Sequence, residues 1–143
     1  ATVHIVGTPK DGLRLDKARE MGIEVIDRSE ADSYTMVAEC SGSAGGINAA
    51  LGAVEKGGSY LQVGIAGRPV EINFDHPLYK ELKIFGTYTH RNQDWQASIS
   101  LMERGLVDPT PLVSRVADLE GWKEALEELE AQKAIKILFG FGE

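Results

Sequence analysis

Three glycines stand where runs of apolar and β-branched residues end, and glycine at such positions allows a ligand to approach the backbone. Gly42 closely follows the run Tyr34–Cys40, and Gly64 and Gly86 each end a similar run. In an open parallel α/β sheet, ligands bind outside the carboxyl ends of the strands. Because glycine has no Cβ, the backbone there can touch a flat ring or a ribose. The spacing favours a binding site for such a ligand, although strands also turn on glycine for purely structural reasons.

The residues that most often hold metals or attack substrates are scattered along this sequence. His4, His76 and His90 lie in three different segments, with no short-range ligand pairing. Zinc sites need a cluster of Cys, His and carboxylate ligands. The single cysteine, Cys40, has no neighbouring base that would activate it as a nucleophile. The sequence therefore predicts no catalytic residue and no metal ligand.

Composition narrows the class of ligand. The chain has 143 residues, 43% of them hydrophobic, and a formal net charge of -7. That size and apolar content suit one domain with a real core. The negative charge argues against nucleic acid and anionic membrane surfaces, since both require a basic face. One cysteine excludes an internal disulfide and favours a reducing cytoplasm, and no signal peptide or membrane-spanning run is evident. Small-molecule chemistry fits best.

Short β-branched runs alternate with helical patterns, which is typical of parallel βα units with helices on both faces of the sheet. The pattern predicts an α/β fold, read as one domain. The predicted strands are Ala1–Val6, Ile23–Ile26, Tyr34–Cys40, Ser59–Gly64, Val70–Phe74 (an edge strand), Leu82–Gly86 and Ala134–Phe139. The predicted helices are 13–22, 47–55, 94–104 and 119–131, and Lys56–Gly58 is predicted as a turn.

Ordered spacing over almost the whole chain resembles the latter part of the zinc-dependent medium-chain alcohol and polyol dehydrogenases, most closely the sorbitol and threonine dehydrogenases. The matching segments are Arg14–Leu15 with Met21–Gly22, Glu39–Gly42, Lys56–Gly58, Val63–Gly64, Lys80–Tyr88 and Lys133–Lys136. The resemblance implies a doubly wound, Rossmann-type parallel sheet that lacks its first strand and glycine-rich loop. Residues 1–143 would then be a partial nicotinamide-dinucleotide-binding domain, without the catalytic zinc domain and inactive alone.

The resemblance also assigns cofactor contacts. Cys40, Ser41 and Gly42 would lie along the adenosine, and a basic residue at Lys136 would face the pyrophosphate. The residues expected toward the nicotinamide are Val63, Gly64, Ile65, Thr87 and Tyr88. Since a lysine among apolar strand residues needs either an anion or solvent, Lys136 is equally compatible with simple exposure at a sheet edge.

Cofactor choice is expected to depend on the segment after the first strand of this chain. Gly7, Thr8 and Arg14 would lie near the adenosine ribose, where NAD-specific folds place an acidic residue. Lys10 and Arg14 could attract the 2′-phosphate of NADP, whereas Asp11 could fold back onto the ribose. Both NAD and NADP stay open, with a slight preference for NAD because the sugar-alcohol relatives mostly use it.

The resemblance implies a part of an oxidoreductase that transfers a hydride between NAD(P) and an alcohol or polyol. Two alternatives stay open: a zinc-free quinone or enoyl reductase relative, and a non-catalytic nucleotide-binding or assembly module. Val70–Phe74 carries no lysine or internal proline to discourage strand pairing. Together with the resemblance, this predicts a homodimer or homotetramer formed through that strand, with Ile72 near the symmetry axis.

Overall fold

The computed structural model describes residues 1–141, which form five α-helices and seven strands. The strands are β1 (His4–Ile5), β2 (Glu24–Val25), β3 (Tyr34–Glu39), β4 (Val54–Gln62), β5 (Lys83–Gly86), β6 (Val113–Asp118) and β7 (Lys136–Gly140). The α-helices are α1 (Gly12–Glu20), α2 (Ala44–Ala53), α3 (Asp75–Tyr79), α4 (Asn92–Glu103) and α5 (Trp122–Glu130). Short 3₁₀ helices span Pro9–Asp11, Thr110–Leu112 and Leu119–Gly121.

Every strand pair in the described residues is parallel, as the alternating pattern predicts. The strands form three separate sheets, with orders β1-β2, β3-β4-β5 and β6-β7. β1 and β3 therefore each have a single hydrogen-bonded neighbour within residues 1–141. The predicted α/β class with parallel pairing is confirmed.

The chain divides into two compact units. One comprises Ala1–Asp27 together with the chain from Asn92 onward, and the other is Arg28–Arg91. In the second unit, Ile47 and Leu51 of α2 pack with Val54 and Tyr60 of β4. In the first unit, a smaller core joins alanines of β6 and α5 to Ile137 of β7. Each core thus consists of a helix packed against parallel strands.

Local signals explain where the helices begin and end. α1 ends before Gly22, whose φ of +77° glycine adopts without steric cost. The backbone N–H of Gly22 donates to Arg19, and that of Ile23 donates to Ala18, which closes the last turn. α2 begins after Ser43, whose hydroxyl accepts from the N–H of Gly46 at 3.0 Å. This cap places the start of α2 directly after the carboxyl end of β3.

Several predicted boundaries and elements differ from the structure. The predicted turn Lys56–Gly58 lies inside β4, where a bulge between the pairs Tyr34–Val54 and Met36–Ser59 accommodates it. β6 was not predicted because Val113, Val116 and Ala117 do not recur with period two, although burial alternates along the strand in the structure. α3 was also missed, since five residues with a proline in the middle carry no helical periodicity.

The predicted edge strand Val70–Phe74 is wrong for the single chain. This segment forms no ladder with any strand among residues 1–141. Its apolar residues Val70 and Ile72 instead pack, partly buried, against the core formed by α2 and β4. The alternating pattern therefore reflects one face turned toward that core, and the side chain of Asn48 fixes the segment by donating to the Glu71 carbonyl at 3.1 Å.

Candidate functional site

Two loops run side by side at the carboxyl ends of β3 and β4. We call residues 40–43 the first site loop and residues 63–66 the second site loop. The last residues of the two strands, Glu39 and Gln62, are register partners. The backbone N–H groups of Val63 and Gly64 both donate to the Glu39 carbonyl, at 2.8 and 2.9 Å. The ladder thus continues past β4 and holds the second site loop against the first.

Glycines allow the two site loops to touch through their backbones. Gly42 is buried with a φ of +64°, and a Cβ on it would overlap the Ile65 carbonyl and lie 3.0 Å from the Ala66 nitrogen. A Cβ on Gly64 would overlap the Gly42 nitrogen and lie 2.8 Å from the Cys40 carbonyl carbon. These two glycines are therefore required by contact within the protein, which the sequence alone could not distinguish from contact with a ligand.

A buried carboxylate lies beneath the two site loops. Glu39 is 4% exposed. Its Oε1 accepts from the backbone N–H of Ser41 at 2.8 Å and from the Ser41 hydroxyl, and its Oε2 accepts from the N–H of Gly42 at 2.9 Å. Burial by itself would raise the pKa of Glu39, but the hydrogen bonds from Ser41, Gly42 and Gln62 outweigh it and lower the pKa below its usual value. The carboxylate is therefore ionised at neutral pH.

Gln62 and Tyr60 extend this hydrogen-bond network along β4. The Gln62 amide donates to Glu39 Oε2 at 2.8 Å and to the Gly64 carbonyl at 2.6 Å, and its oxygen accepts from the Tyr60 hydroxyl. Burial, followed by the charge of Glu39, raises the pKa of Tyr60 to about 12, so its hydroxyl stays protonated and donates. In this hydrogen-bond network, which runs from Tyr60 through Gln62 and Glu39 to Ser41, each donor thus faces an acceptor.

The structure places eight predicted cofactor residues along this one edge of the β3-β4-β5 sheet. They are Cys40, Ser41, Gly42, Val63, Gly64, Ile65, Thr87 and Tyr88. The third strand exit joins the other two because the Thr87 N–H donates to the Gln62 carbonyl at 3.1 Å. Ile65 is 74% exposed and Tyr88 is 81% exposed, and the Cys40 thiol is free and exposed. The edge therefore presents apolar and aromatic surface around a closely packed backbone.

The other predicted contacts lie in the first unit. Gly7 follows β1, and a Cβ on it would lie 2.9 Å from the Leu15 side chain. Thr8 donates to the carboxylate of Asp11 through both its N–H, at 2.9 Å, and its hydroxyl, at 2.6 Å. These two bonds, helped by the nearby charge of Arg14, lower the pKa of Asp11. An ionised carboxylate therefore stands at the carboxyl end of β1.

Lys136 is exposed and is the first residue of β7, opposite Val113 in the register of the β6-β7 pair. The sequence pattern predicted it in mid-strand. Ligands of parallel sheets bind at the carboxyl ends of strands, whereas this lysine stands at an amino end. Its placement matches the alternative of simple solvent exposure.

Metal ligands do not converge in the part of the chain that is described. No group of three or more His, Cys, Asp and Glu side chains within residues 1–141 is placed to hold a metal ion. His4 Nε2 lies 3.3 Å from the carboxylate of Glu24. These donors do not fit a zinc centre, so no zinc chemistry is derived for this chain.

Sequence reasoning missed Glu39 and Gln62, and it treated Asp11 only as a complication. Glu39 is a polar residue at the end of the mostly apolar β3, and that anomaly was the available signal; Gln62 ends β4, which already carries Glu55, Lys56 and Ser59, so it gave no signal. Successive side chains of a strand point to opposite faces of the sheet, so the sequence pattern alone does not show whether such a polar side chain is solvated or buried. Only the close packing of the two site loops encloses Glu39.

The parallel βα units and the loops at their carboxyl ends define the class of dinucleotide-binding α/β proteins. The family model described as zinc-binding dehydrogenase matches residues 1–104, and the chain belongs to this family. It is 30% identical over 151 residues to a sorbitol dehydrogenase of Halalkalibacterium halodurans, a match that covers 96% of this chain and 44% of that protein. The chain thus spans less than half the length of this curated relative.

Solved structures share the fold. A zinc-binding dehydrogenase from Sinorhizobium meliloti, bound to NADP, matches with a TM-score of 0.81 and 22% identity, covering 97% of this chain and 45% of that one. An alcohol dehydrogenase from Escherichia coli, complexed with NADH, matches with a TM-score of 0.81 and 21% identity, covering 98% and 44%. The Rossmann-like fold expected from the sequence is confirmed.

Proposed function

We propose that this chain is the nicotinamide-dinucleotide-binding part of a dehydrogenase that acts on an alcohol or polyol. The observation that carries the proposal is the edge at β3, β4 and β5, where Val63, Ile65 and Tyr88 expose apolar surface beside two tightly packed loops. Such a surface suits a flat ring, and the bound cofactor would supply hydride transfer. The polyol substrate class rests on the sorbitol dehydrogenase relative.

Direct titration tests this proposal. We expect calorimetry to detect one NADH per chain, with ATP as a control that shares the adenosine but lacks the nicotinamide. In the whole protein, oxidation of polyols with reduction of NAD(P) should follow. Absence of both nicotinamide-nucleotide binding and NAD(P)-dependent turnover of polyols and simple alcohols would overturn the proposal.

For the cofactor, we propose a preference for NAD over NADP that is set by Asp11. Thr8 holds the Asp11 carboxylate at the carboxyl end of β1, and the lowered pKa keeps it negatively charged at neutral pH. In dinucleotide-binding folds an acidic residue near this position accepts from the ribose 2′-hydroxyl, and its charge repels a 2′-phosphate. Asp11 thus fills the role that the sequence gives neither to Gly7 nor to Thr8.

In Asp11→Asn, the ratio of the dissociation constant for NADPH to that for NADH should fall about tenfold, because the charge that repels the 2′-phosphate is gone. Asp16→Asn is the matched control, since it removes the same charge from an exposed pair with Arg19 on α1. Gly7→Asp is a poorer probe, because its Cβ would press on Leu15. If the ratio of the two dissociation constants is unchanged in Asp11→Asn, Asp11 does not face the 2′ position of the adenosine ribose.

We further propose self-association through residues 70–74. Within residues 1–141 this segment has no strand partner, and Phe74, which is 69% exposed, adjoins an open apolar depression that includes Leu78 and Ile84. Glu71→Pro removes a backbone donor and should lower the oligomer mass measured by light scattering, whereas Glu71→Ala keeps the donor and should not. Equal masses for both variants would contradict pairing through this segment. A cytoplasmic location stays a prediction, resting on the single cysteine.

A further inference from the structure

The first site loop contains an anion-binding turn that the protein fills itself. The N–H groups of Ser41 and Gly42 point to one carboxylate, and Gly42 has the positive φ that lets successive N–H groups converge. Turns of this kind form concavities that bind phosphates and other anions. Here the anion is Glu39, which is the residue immediately before the loop and is 4% exposed.

The carboxylate also joins the first site loop to the second. Its Oε2 accepts from the Gln62 amide, and that same amide donates to the Gly64 carbonyl. Each of these donors is a neutral group, so the negative charge is held by oriented N–H and O–H dipoles. One side chain therefore fixes both loops.

Close packing leaves this side chain little freedom to move. A Cβ on Gly46, in the first turn of α2, would lie 2.8 Å from Glu39 Oε1, and a Cβ on Gly64 would lie 2.8 Å from Oε2. Both carboxylate oxygens thus stand against backbone that only glycine permits. Displacing the carboxylate would leave the Ser41 and Gly42 donors without this acceptor, which is unfavourable above all for Gly42, because that residue is buried.

We infer that Glu39 is a positioning residue for nucleotide binding, which occupies the anion-binding turn of the first site loop and clamps the two site loops into one fixed shape. The inference rests on the proposed function. It has a chemical consequence: the N–H groups of Ser41 and Gly42 are not available to a cofactor phosphate. The Ser41 hydroxyl is also taken up by Glu39 and Ser43, so the first site loop meets the nucleotide through the exposed side chain of Cys40.

Glu39→Gln tests the clamp, because the amide is close in shape but cannot accept at both ends. Amide exchange measured by NMR on the whole chain should become about tenfold faster at Ser41 and Gly42, and the dissociation constant for NADH should rise about tenfold. Glu30→Gln is the matched control for charge, since Glu30 is exposed in the same unit. It should leave both quantities within about twofold.

A second control separates positioning from general stability. Lys80 holds the far end of α2 through the carbonyls of Leu51, Gly52 and Val54, so Lys80→Met should destabilise the same unit without touching the site loops. We expect it to lower the unfolding midpoint while NADH affinity and exchange at Ser41 and Gly42 stay near wild type. If Glu39→Gln does not fold, Ser41→Ala replaces it. This variant removes the hydroxyl that donates to Glu39 Oε1, so the Gly42 amide, which donates to the same carboxylate, should exchange faster.

Unchanged exchange at Ser41 and Gly42 in Glu39→Gln would overturn the clamp. An NADH affinity that changes no more than in Lys80→Met would reduce Glu39 to a purely structural residue. A wild-type chain that binds no NADH would contradict the proposed function instead, and the exchange measurement would still decide the clamp.

Discussion

At the scale of single residues, Gly42 and Gly64 are required by contacts within the protein itself, whether or not a ligand binds. Gly42 and Gly64 have no space for a Cβ because each faces backbone of the other site loop. Gly86, at the end of the neighbouring strand, differs, since a Cβ there would meet nothing within 4 Å. The three positions look equivalent in the sequence, but contact within the protein requires glycine at only two of them.

Gly64→Ala should lower the free energy of unfolding by about 2 kcal/mol or more, because backbone cannot move aside as a flexible side chain can. Gly86→Ala should change it by less than about 0.5 kcal/mol. Urea unfolding of both variants beside the wild type measures the difference. Equal stabilities for the two variants would show that the site loops are not in direct backbone contact.

At the scale of elements, α2 is fixed at both ends. Ser43 caps its first turn, and Lys80 Nζ donates to the carbonyls of Leu51, Gly52 and Val54 at 3.2, 2.7 and 3.0 Å. A cation at the carboxyl end of a helix also interacts favourably with the helix dipole. The carboxylate of Asp32 lies 2.7 Å from the same Lys80 nitrogen. The helix that follows the first site loop is therefore held in place from the opposite end as well.

Lys80→Met keeps the apolar stem but removes the donor, so it should cost about 1–3 kcal/mol of unfolding free energy. Lys56→Met is the matched control, because Lys56 pairs with Glu81 on the surface and both side chains are mostly exposed. The control should change stability by less than about 1 kcal/mol. Chemical denaturation followed by far-UV circular dichroism gives both values, and a loss no larger for Lys80→Met than for Lys56→Met would contradict the capping role.

At the scale of the whole molecule, the proposed nucleotide-binding edge and the absence of a metal-ligand cluster are both features of residues 1–141. No helix in the described part of the chain is long and apolar enough to cross a bilayer. The match to the zinc-binding dehydrogenase family covers residues 1–104. Within residues 1–141, however, no three His, Cys, Asp or Glu side chains are close enough together to hold a metal ion. The metal that gives the family its description is therefore not expected on these residues.

The purified chain should retain less than about 0.1 zinc per chain after exposure to zinc and desalting, because structural and catalytic zinc sites need three or four converging ligands. Plasma emission spectrometry measures the content, and nickel-free, tag-free protein avoids ligands introduced for purification. One tightly held zinc per chain would show that a ligand set assembles in a way that the described residues do not reveal.

The sequence by itself determined the class of fold. Alternating β-branched and helical runs predicted parallel α/β units, and the glycine after α1 marked a helix end that the structure confirms. These features depend on local periodicity and local hydrogen bonds, so neighbouring residues are sufficient to specify them. The order of strand exits along the chain was likewise enough to place eight candidate residues at one sheet edge.

Only the tertiary structure decided which residues near that edge are enclosed and which distant residues they contact. Glu39 reads as one polar residue at the end of a strand, and its role appears only when Gln62, far along the chain, stands opposite it. Val70–Phe74 reads as a strand, yet a strand exists only where a partner supplies the ladder, and in the single chain its apolar face packs on a core instead. Burial and partnership across distant segments are properties of packing, and no local pattern carries them.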